Sequence, residues 1–247
     1  MSLFGKAAKI SHGIRFKRGR HALKMGVAPA IEHLRILKSK PWRTVVDIGA
    51  NKGQFALAAT SSIPSVVVHS FEPLAGPAQR FEEVFGNTAN VHLHRCAIGP
   101  ANRTAAMNIS ARDDSSSLLP ISDKQTGLFP GTGEVGRETV TVSTLSKILK
   151  REEIQSPALL KLDVQGYEYP ALLGCEELLD CFQAVYVECS LVELYVGQKL
   201  LSDIDGWLHT RGFQVTDIGD LTRDEHGGVI QGDFLFERIG QVCECAD

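Results

Sequence analysis

No apolar run in the 247-residue chain approaches the roughly 20 residues needed to span a bilayer, so no transmembrane helix is expected. The N-terminus has neither a continuous apolar stretch nor a small-residue cleavage site, which argues against a secretory signal. The six cysteines include no C-x-x-C pair. Cys243 and Cys245 form a C-x-C, but no second close pair completes a tetrahedral metal site, so no metal is expected. These absences point to the cytoplasm by default. The dinucleotide fingerprint G-x-G-x-x-G is missing as well.

Acidic residues are nearly missing from residues 1–40, which carry ten Lys/Arg against the lone Glu32. The remaining 207 residues carry sixteen basic and twenty-eight acidic side chains, a net of −12. A basic arm of this kind offers weak contact with an anionic membrane surface, a phosphorylated acceptor or nucleic acid. Only one aromatic, Phe16, stands among its charges, which counts against nucleic acid. The simplest reading is a leader packed on an acidic body.

Within the leader, Ile31, Leu34 and Leu37 recur at helical spacing between Pro29 and Pro41, which predicts one short helix. From Arg43 onward strands and helices alternate. Strands are expected at 44–48, 65–71, 91–98, 158–163 and 183–188, and helices at 54–61, 74–85, 169–179 and 200–211. Alternation of this kind makes a parallel sheet covered by helices. Segments 103–109 and 139–143 read as an inserted β-hairpin. The Ser/Gly/Pro-rich stretch 110–137 between them, with Ser115, Ser116 and Ser117, suggests a mobile lid or an acceptor-binding element. Segments 213–218 and 229–236 are joined too closely for a parallel crossover, so they must run antiparallel. The expected fold is therefore α/β: a doubly wound, mostly parallel seven-stranded Rossmann-like sheet with an antiparallel C-terminal strand, as in class I methyltransferases. Residues 1–40 form the leader, 41–240 the domain and 241–247 a tail.

Three motifs fall at the carboxyl ends of strands, where an open α/β sheet binds its ligand. Asp47-Ile48-Gly49-Ala50-Asn51-Lys52-Gly53 makes a glycine turn whose carboxylate suits a cationic group better than a pyrophosphate. Phe71-Glu72-Pro73 places an acid where it can accept hydrogen bonds from a ribose diol. In Lys161-Leu162-Asp163-Val164-Gln165-Gly166-Tyr167-Glu168, Lys161 and Asp163 share one face of their strand, and Glu188 ends the next one. Histidines contribute little: His92 and His94 alternate on a strand, and His69 stands alone.

The run V-V-D-I-G-A-N-K-G-Q, then F-E-P, A-I-G, L-L-K-L-D-V-Q-G-Y-E, Y-V-E and D-F-L-F-E-R, in order from Val45 to Arg238, resembles the FkbM-type methyltransferases. The resemblance implies S-adenosylmethionine as methyl donor and O-methylation of a hydroxyl on a sugar, glycan or secondary metabolite. It implies that Asp47, Gly49, Asn51 and Gly53 hold the methionine end and Glu72 the ribose, with Ala97 and Ile98 near the adenine. Gln54 and Pro73 belong to the same two donor-binding motifs. Many relatives carry Glu where this chain has Gln165. A sulfonium methyl is already activated, so the remaining tasks are in-line alignment and removal of the hydroxyl proton. Asp163 and Glu188 are candidates for the base or for orienting the hydroxyl, with Lys161 as electrostatic partner. A non-catalytic nucleoside-binding module is the main alternative. An NAD-dependent oxidoreductase fits less well, given the absent fingerprint and the antiparallel ending.

Overall fold

The computed structural model describes residues 3–86, 88–112 and 114–240, so Cys243 and Cys245 lie outside the described residues. Helices α1 (Leu3–Ile14) and α2 (Lys17–Lys24), a 3₁₀ turn (Ile31–His33) and α3 (Leu34–Leu37) lead into β1 (Thr44–Ile48). Then follow α4 (Gln54–Ser62), β2 (Val67–Phe71), α5 (Ala75–Phe85), β3 (Val91–His94), β4 (Ala97–Ile98), β5 (Arg103–Ser110), α6 (Asp123–Leu128) and β6 (Glu134–Ser143). The last part of the chain holds α7 (Leu145–Ile148), β7 (Ala158–Leu162), α8 (Glu168–Cys175), β8 (Ala184–Ser190), α9 (Leu201–His209), β9 (Phe213–Arg223) and β10 (Val229–Arg238).

Seven strands form one sheet in the order β3-β2-β1-β7-β8-β10-β9. The first five are mutually parallel, and β10 runs antiparallel to both β8 and β9. This is the doubly wound class I methyltransferase fold expected from the motif order. At the centre, β1 (T-V-V-D-I) and β7 (A-L-L-K-L) are buried along their whole length. Their side chains alternate between two cores, because helices cover both faces. Val46, Ile48, Leu160 and Leu162 enter the core shared with α8 and α9. Val45 and Leu159 enter the one shared with α4, α5 and the leader. The order in which strands are added reverses between β1 and β7, which opens a crevice at their carboxyl ends.

Three sequence expectations change. The strand expected over 91–98 is two: the Cys96 N–H turns back onto the His94 carbonyl at 2.9 Å. β4 then pairs parallel with β6 in a separate three-stranded sheet, which also holds the antiparallel β5–β6 hairpin. The stretch 110–137 is not one long connection but carries α6 and the start of β6. Bridges Asn108↔Ser117 and Ile121↔Tyr195 pin it, and Ser115, Ser116 and Ser117 are all buried. Third, the leader contains two helices before the one expected. A Cβ on Gly19 would lie 2.2 Å from the Gly13 carbonyl oxygen, so these glycines allow α1 and α2 to meet rather than breaking them.

Part of the leader's charge meets the body. Lys40 pairs with Glu237 at 2.9 Å and Arg35 with Asp217, while Lys9 pairs with the leader's own Glu32 at 2.7 Å. Arg18 donates to Thr88 Oγ1 at 2.8 Å.

His69 is not isolated. Its ring stacks on His92, its partner in the β2–β3 register, and its Nδ1 lies 3.3 Å from His94 Nε2. Burial, then His94 and His92, pushes its pKa down to about 4. The unfolded chain would therefore bind a proton near pH 6.5 that the folded chain refuses. Stability from this site is complete above about pH 6.5 and falls as the pH drops toward 4, by about 2 kcal/mol at pH 5. Urea unfolding of the wild type and His69→Phe at pH 7.5 and 5 should show the substitution reducing the loss of stability between the two pH values by about 2 kcal/mol. Equal slopes would refute the assignment.

Candidate active site

A cavity of about 420 Å³ opens at the carboxyl ends of β1, β2 and β7, within the usual size of a small-molecule site. Gly49, Ala50, Asn51, Gln54, Glu72, Pro73, Ala97, Ile98, Lys161 and Asp163 all line it, so the separate motifs converge. Asp47, Gly53 and Glu188 do not line it. Asp47 lies beneath the floor at 0% exposure, and Gly53 starts α4 against Phe81 and Phe85.

The floor is an ion pair. Asp47 and Lys161 are neighbours in the β1–β7 register, with Lys161 Nζ 3.0 Å from Asp47 Oδ1. Nζ also donates to the Gly49 carbonyl at 3.2 Å and lies 3.8 Å from Asp163 Oδ2. Burial alone would push Asp47 up and Lys161 down, each toward its neutral form. Asp47 and Asp163 outweigh burial at Lys161 and hold its pKa above the ordinary value, whereas at Asp47 burial outweighs Lys161 and the carboxyl stays raised. Lys161 thus stands beside the carboxylate expected to meet a cationic ligand, beneath the cavity floor.

The turn after β1 is fixed by close approach. Gly49 has φ +84°, and a Cβ there would meet the Asp163 carbonyl oxygen at 1.8 Å. The Gly49 and Ala50 N–H groups donate to the Phe71 carbonyl at 3.1 and 3.0 Å. Glu72 links the same loops, its Oε2 accepting from Asn51 N–H and its Oε1 from Leu74 N–H, both at 2.9 Å. Burial pushes the Glu72 carboxyl up to about 7 despite those bonds.

On the opposite wall, Gln165 sits in a left-handed conformation at φ 55°. Its Nε2 donates to Asp163 Oδ1 at 2.8 Å and to Glu188 Oε2 at 3.1 Å, and its Oε1 is 3.0 Å from the Tyr195 hydroxyl. An amide can do this and a carboxylate cannot, since Glu would face two like charges. Gln231 Nε2 holds the other Glu188 oxygen at 2.9 Å. Burial, then Asp163, Asp233 and Glu168, raises Glu188 well above the carboxylate range. Glu168 Oε1 accepts from the Val164 and Gly166 N–H groups at 3.0 and 3.1 Å, clamping the loop that carries Asp163. Among these carboxylates only Asp163 reaches the cavity, 39% exposed.

Sequence reasoning missed the leader's share. Ala28, Ala30, Glu32 and His33 line the cavity, as does Lys9. From the inserted sheet and its loop come Met107, Asp114, Ser116 and Leu118. Nothing in the chain's periodicity marks these positions, because only folding brings their segments to the crevice.

The residues present fit S-adenosylmethionine. Phe71, Leu74 and Ile98 give apolar walls for a planar base, and Glu72 retains lone pairs for a diol. Gln54 Oε1 is buried at the wall with no partner among the described residues, an acceptor left for a bound donor group. Carboxylates on the wall favour a cationic ligand.

Strand order and site together define a class I, S-adenosylmethionine-dependent methyltransferase. The model for the methyltransferase FkbM domain matches residues 47–215, and the chain belongs to that family. It is 28% identical over 174 residues to the 2-O-methyltransferase NoeI of Sinorhizobium fredii (68% of this chain, 72% of that protein). It is 28% identical over 188 residues to Methyltransferase 1 of Beauveria bassiana (69% and 72%). The 31-O-demethyl-FK506 methyltransferase FkbM of Streptomyces tacrolimicus is 28% identical over 162 residues (56% and 61%). Among the described residues no helix is long and apolar enough to cross a membrane.

Proposed function

We propose that the protein methylates a hydroxyl group of a small-molecule or glycan acceptor. The observation that carries this is the Asp163 carboxylate, exposed in the donor cavity and held by the Gln165 amide at 2.8 Å. A carboxylate so placed accepts a hydrogen bond from an alcohol and aligns its oxygen for in-line attack. Around it Asp114, Ser116 and Gln165 supply further polar groups suited to a hydroxylated molecule. Two of the relatives are named for methylation at oxygen, which supports the same choice.

When bound, the sulfonium supplies an activated methyl group and leaves as a neutral thioether. The chain's own residues do the rest. In this reading Lys161 neutralises Asp47 and steadies the Gly49 turn, while Glu188 anchors Gln165 rather than touching substrate. The leader and the domain then act as one unit, since both line the cavity. A cytoplasmic location belongs to the same reading, supported by the free, buried thiols of Cys96, Cys175 and Cys189.

The test is to incubate the protein with cell extract and deuteromethyl-labelled S-adenosylmethionine, then find by mass spectrometry which molecule gains the label. A labelled ether on a small molecule or glycan is the expected product. Label on nitrogen or carbon, or none in any molecule, would refute the proposal.

A further inference from the structure

His33 lies in the leader, outside the span the family model matches, yet it lines the same cavity as Asp163. It ends the 3₁₀ turn Ile31–His33, and its side chain is 16% exposed. Its Nδ1 is 3.0 Å from the Tyr186 hydroxyl on β8 and 3.8 Å from Asp233 Oδ2 on β10. At pH 8 the Asp233 carboxylate beside Nδ1 is ionised and can only accept, so a proton on Nδ1 faces it and the Tyr186 oxygen accepts that N–H. That polarity selects the Nδ1–H tautomer and leaves a lone pair on Nε2, which bonds to no described residue. Phe55 and Tyr186 hold the ring at centroid distances of 5.3 and 5.5 Å. Burial lowers the imidazole to about 4, with Lys161 and Lys9 adding to it and Glu32 and Asp163 opposing, so the ring is neutral at pH 7.

We propose that His33 Nε2 takes the proton of the acceptor hydroxyl, with Tyr186 and Asp233 as positioning residues that fix its tautomer. This rests on the O-methylation reading above. As the acceptor O–H bond breaks, its proton passes to Nε2. The oxygen's electron pair forms the O–CH₃ bond, and the pair of the breaking S–CH₃ bond stays on sulfur. The imidazolium, stabilised by the Asp233 carboxylate 3.8 Å from Nδ1, later returns the proton to water. The arrangement has the logic of other tethered histidine bases, in which a partner on one nitrogen frees the other. Asp163 keeps the orienting role, and Glu188 is excluded because both its oxygens are occupied.

Two measurements test this. Nitrogen-15 spectra of histidine-labelled protein, saturated with S-adenosylhomocysteine at pH 8, should show His33 as the neutral Nδ1–H tautomer. Its signals are assigned by their loss in His33→Gln. Burial places Asp233 at about 7, so it is ionised at pH 8. Tyr186→Phe should then give a mixture of tautomers, which a merely structural tyrosine would not cause. An Nε2–H tautomer or an imidazolium in the wild type overturns the proposal. In the second measurement, the extract fraction that accepts label from the wild type is given to His33→Gln and His33→Asn. Both should transfer label at least about 100-fold more slowly, while binding S-adenosylhomocysteine within about threefold of wild type. Transfer within about threefold of wild type by either variant overturns the proposal. Failure of the wild type to bind S-adenosylhomocysteine or to label a hydroxyl would instead count against the O-methylation reading, and the tautomer would still decide the role of His33.

Discussion

Lys161→Met should destabilise the protein by about 3–5 kcal/mol, because it leaves the Asp47 carboxylate buried with no counter-charge. Asp47 is 0% exposed and its cation is 3.0 Å away, so neither water nor another base can replace it. A loss of that size is a large part of the roughly 5–15 kcal/mol that holds a typical domain together. The remedy open to the variant is protonation of Asp47, which gives the loss a sign with pH. Without Lys161 the folded-state pKa of Asp47 stands above its unfolded value. The variant therefore keeps most stability at low pH and loses it as the pH rises through that raised value. Urea midpoints for wild type and variant should differ more at pH 8 than at pH 5. Replacing both partners, Asp47→Leu with Lys161→Met, should restore most of the stability, since an apolar pair carries no desolvation cost. It would not restore donor binding, because Lys161 also donates to the Gly49 carbonyl in the cavity wall. A single substitution costing under about 1 kcal/mol, the same at both pH values, would disprove the ion-pair account.

The second large effect is expected at Glu72. Its two oxygens already take one N–H each from the loops after β1 and β2, and each retains a lone pair facing the cavity. Glu72→Ala removes the acceptor for a ribose diol and strands two backbone donors. Hydrogen bonds to a charged group are worth about 1.5–3 kcal/mol each. The dissociation constant for S-adenosylhomocysteine should rise about 100-fold by calorimetry, equivalent to about 2.7 kcal/mol. Because burial pushes Glu72 up to about 7, the ionised form is fully present only above that value. Wild-type affinity should weaken several-fold as the pH falls from 8 to 5.5, and Glu72→Gln should bind with little dependence on pH. A pH-sensitive Glu72→Gln protein would move the responsible group elsewhere.

Much of the site was legible before any coordinates. Glycine turns and acids at strand ends must face one crevice in a parallel sheet, because each βα crossover returns the chain in the same direction. Eleven of the twelve residues singled out in the motifs either line the cavity or, like Asp47 and Glu188, sit one contact behind it. What could not be read was which charges cancel. Asp47 invited assignment to a cationic ligand, but the register of β1 against β7 sets it beside Lys161. Gln165 looked like a lost carboxylate; between Asp163 and Glu188 it is the one group able to bond both.

The leader shows the same division more sharply. Its helices read poorly as sequence because Gly13 and Gly19 look like breakers, and become contact points only once α1 and α2 meet. The chain alone determined the order of the seven main-sheet strands, the methyltransferase class and the donor, since hydrophobic period and strand-end motifs are local properties. Folding decided that the histidine in the wall comes from the leader, that the 91–98 run divides between two sheets, and that the floor is a closed ion pair. Those outcomes depend on register and on contacts between distant segments, where no local pattern constrains the pairing.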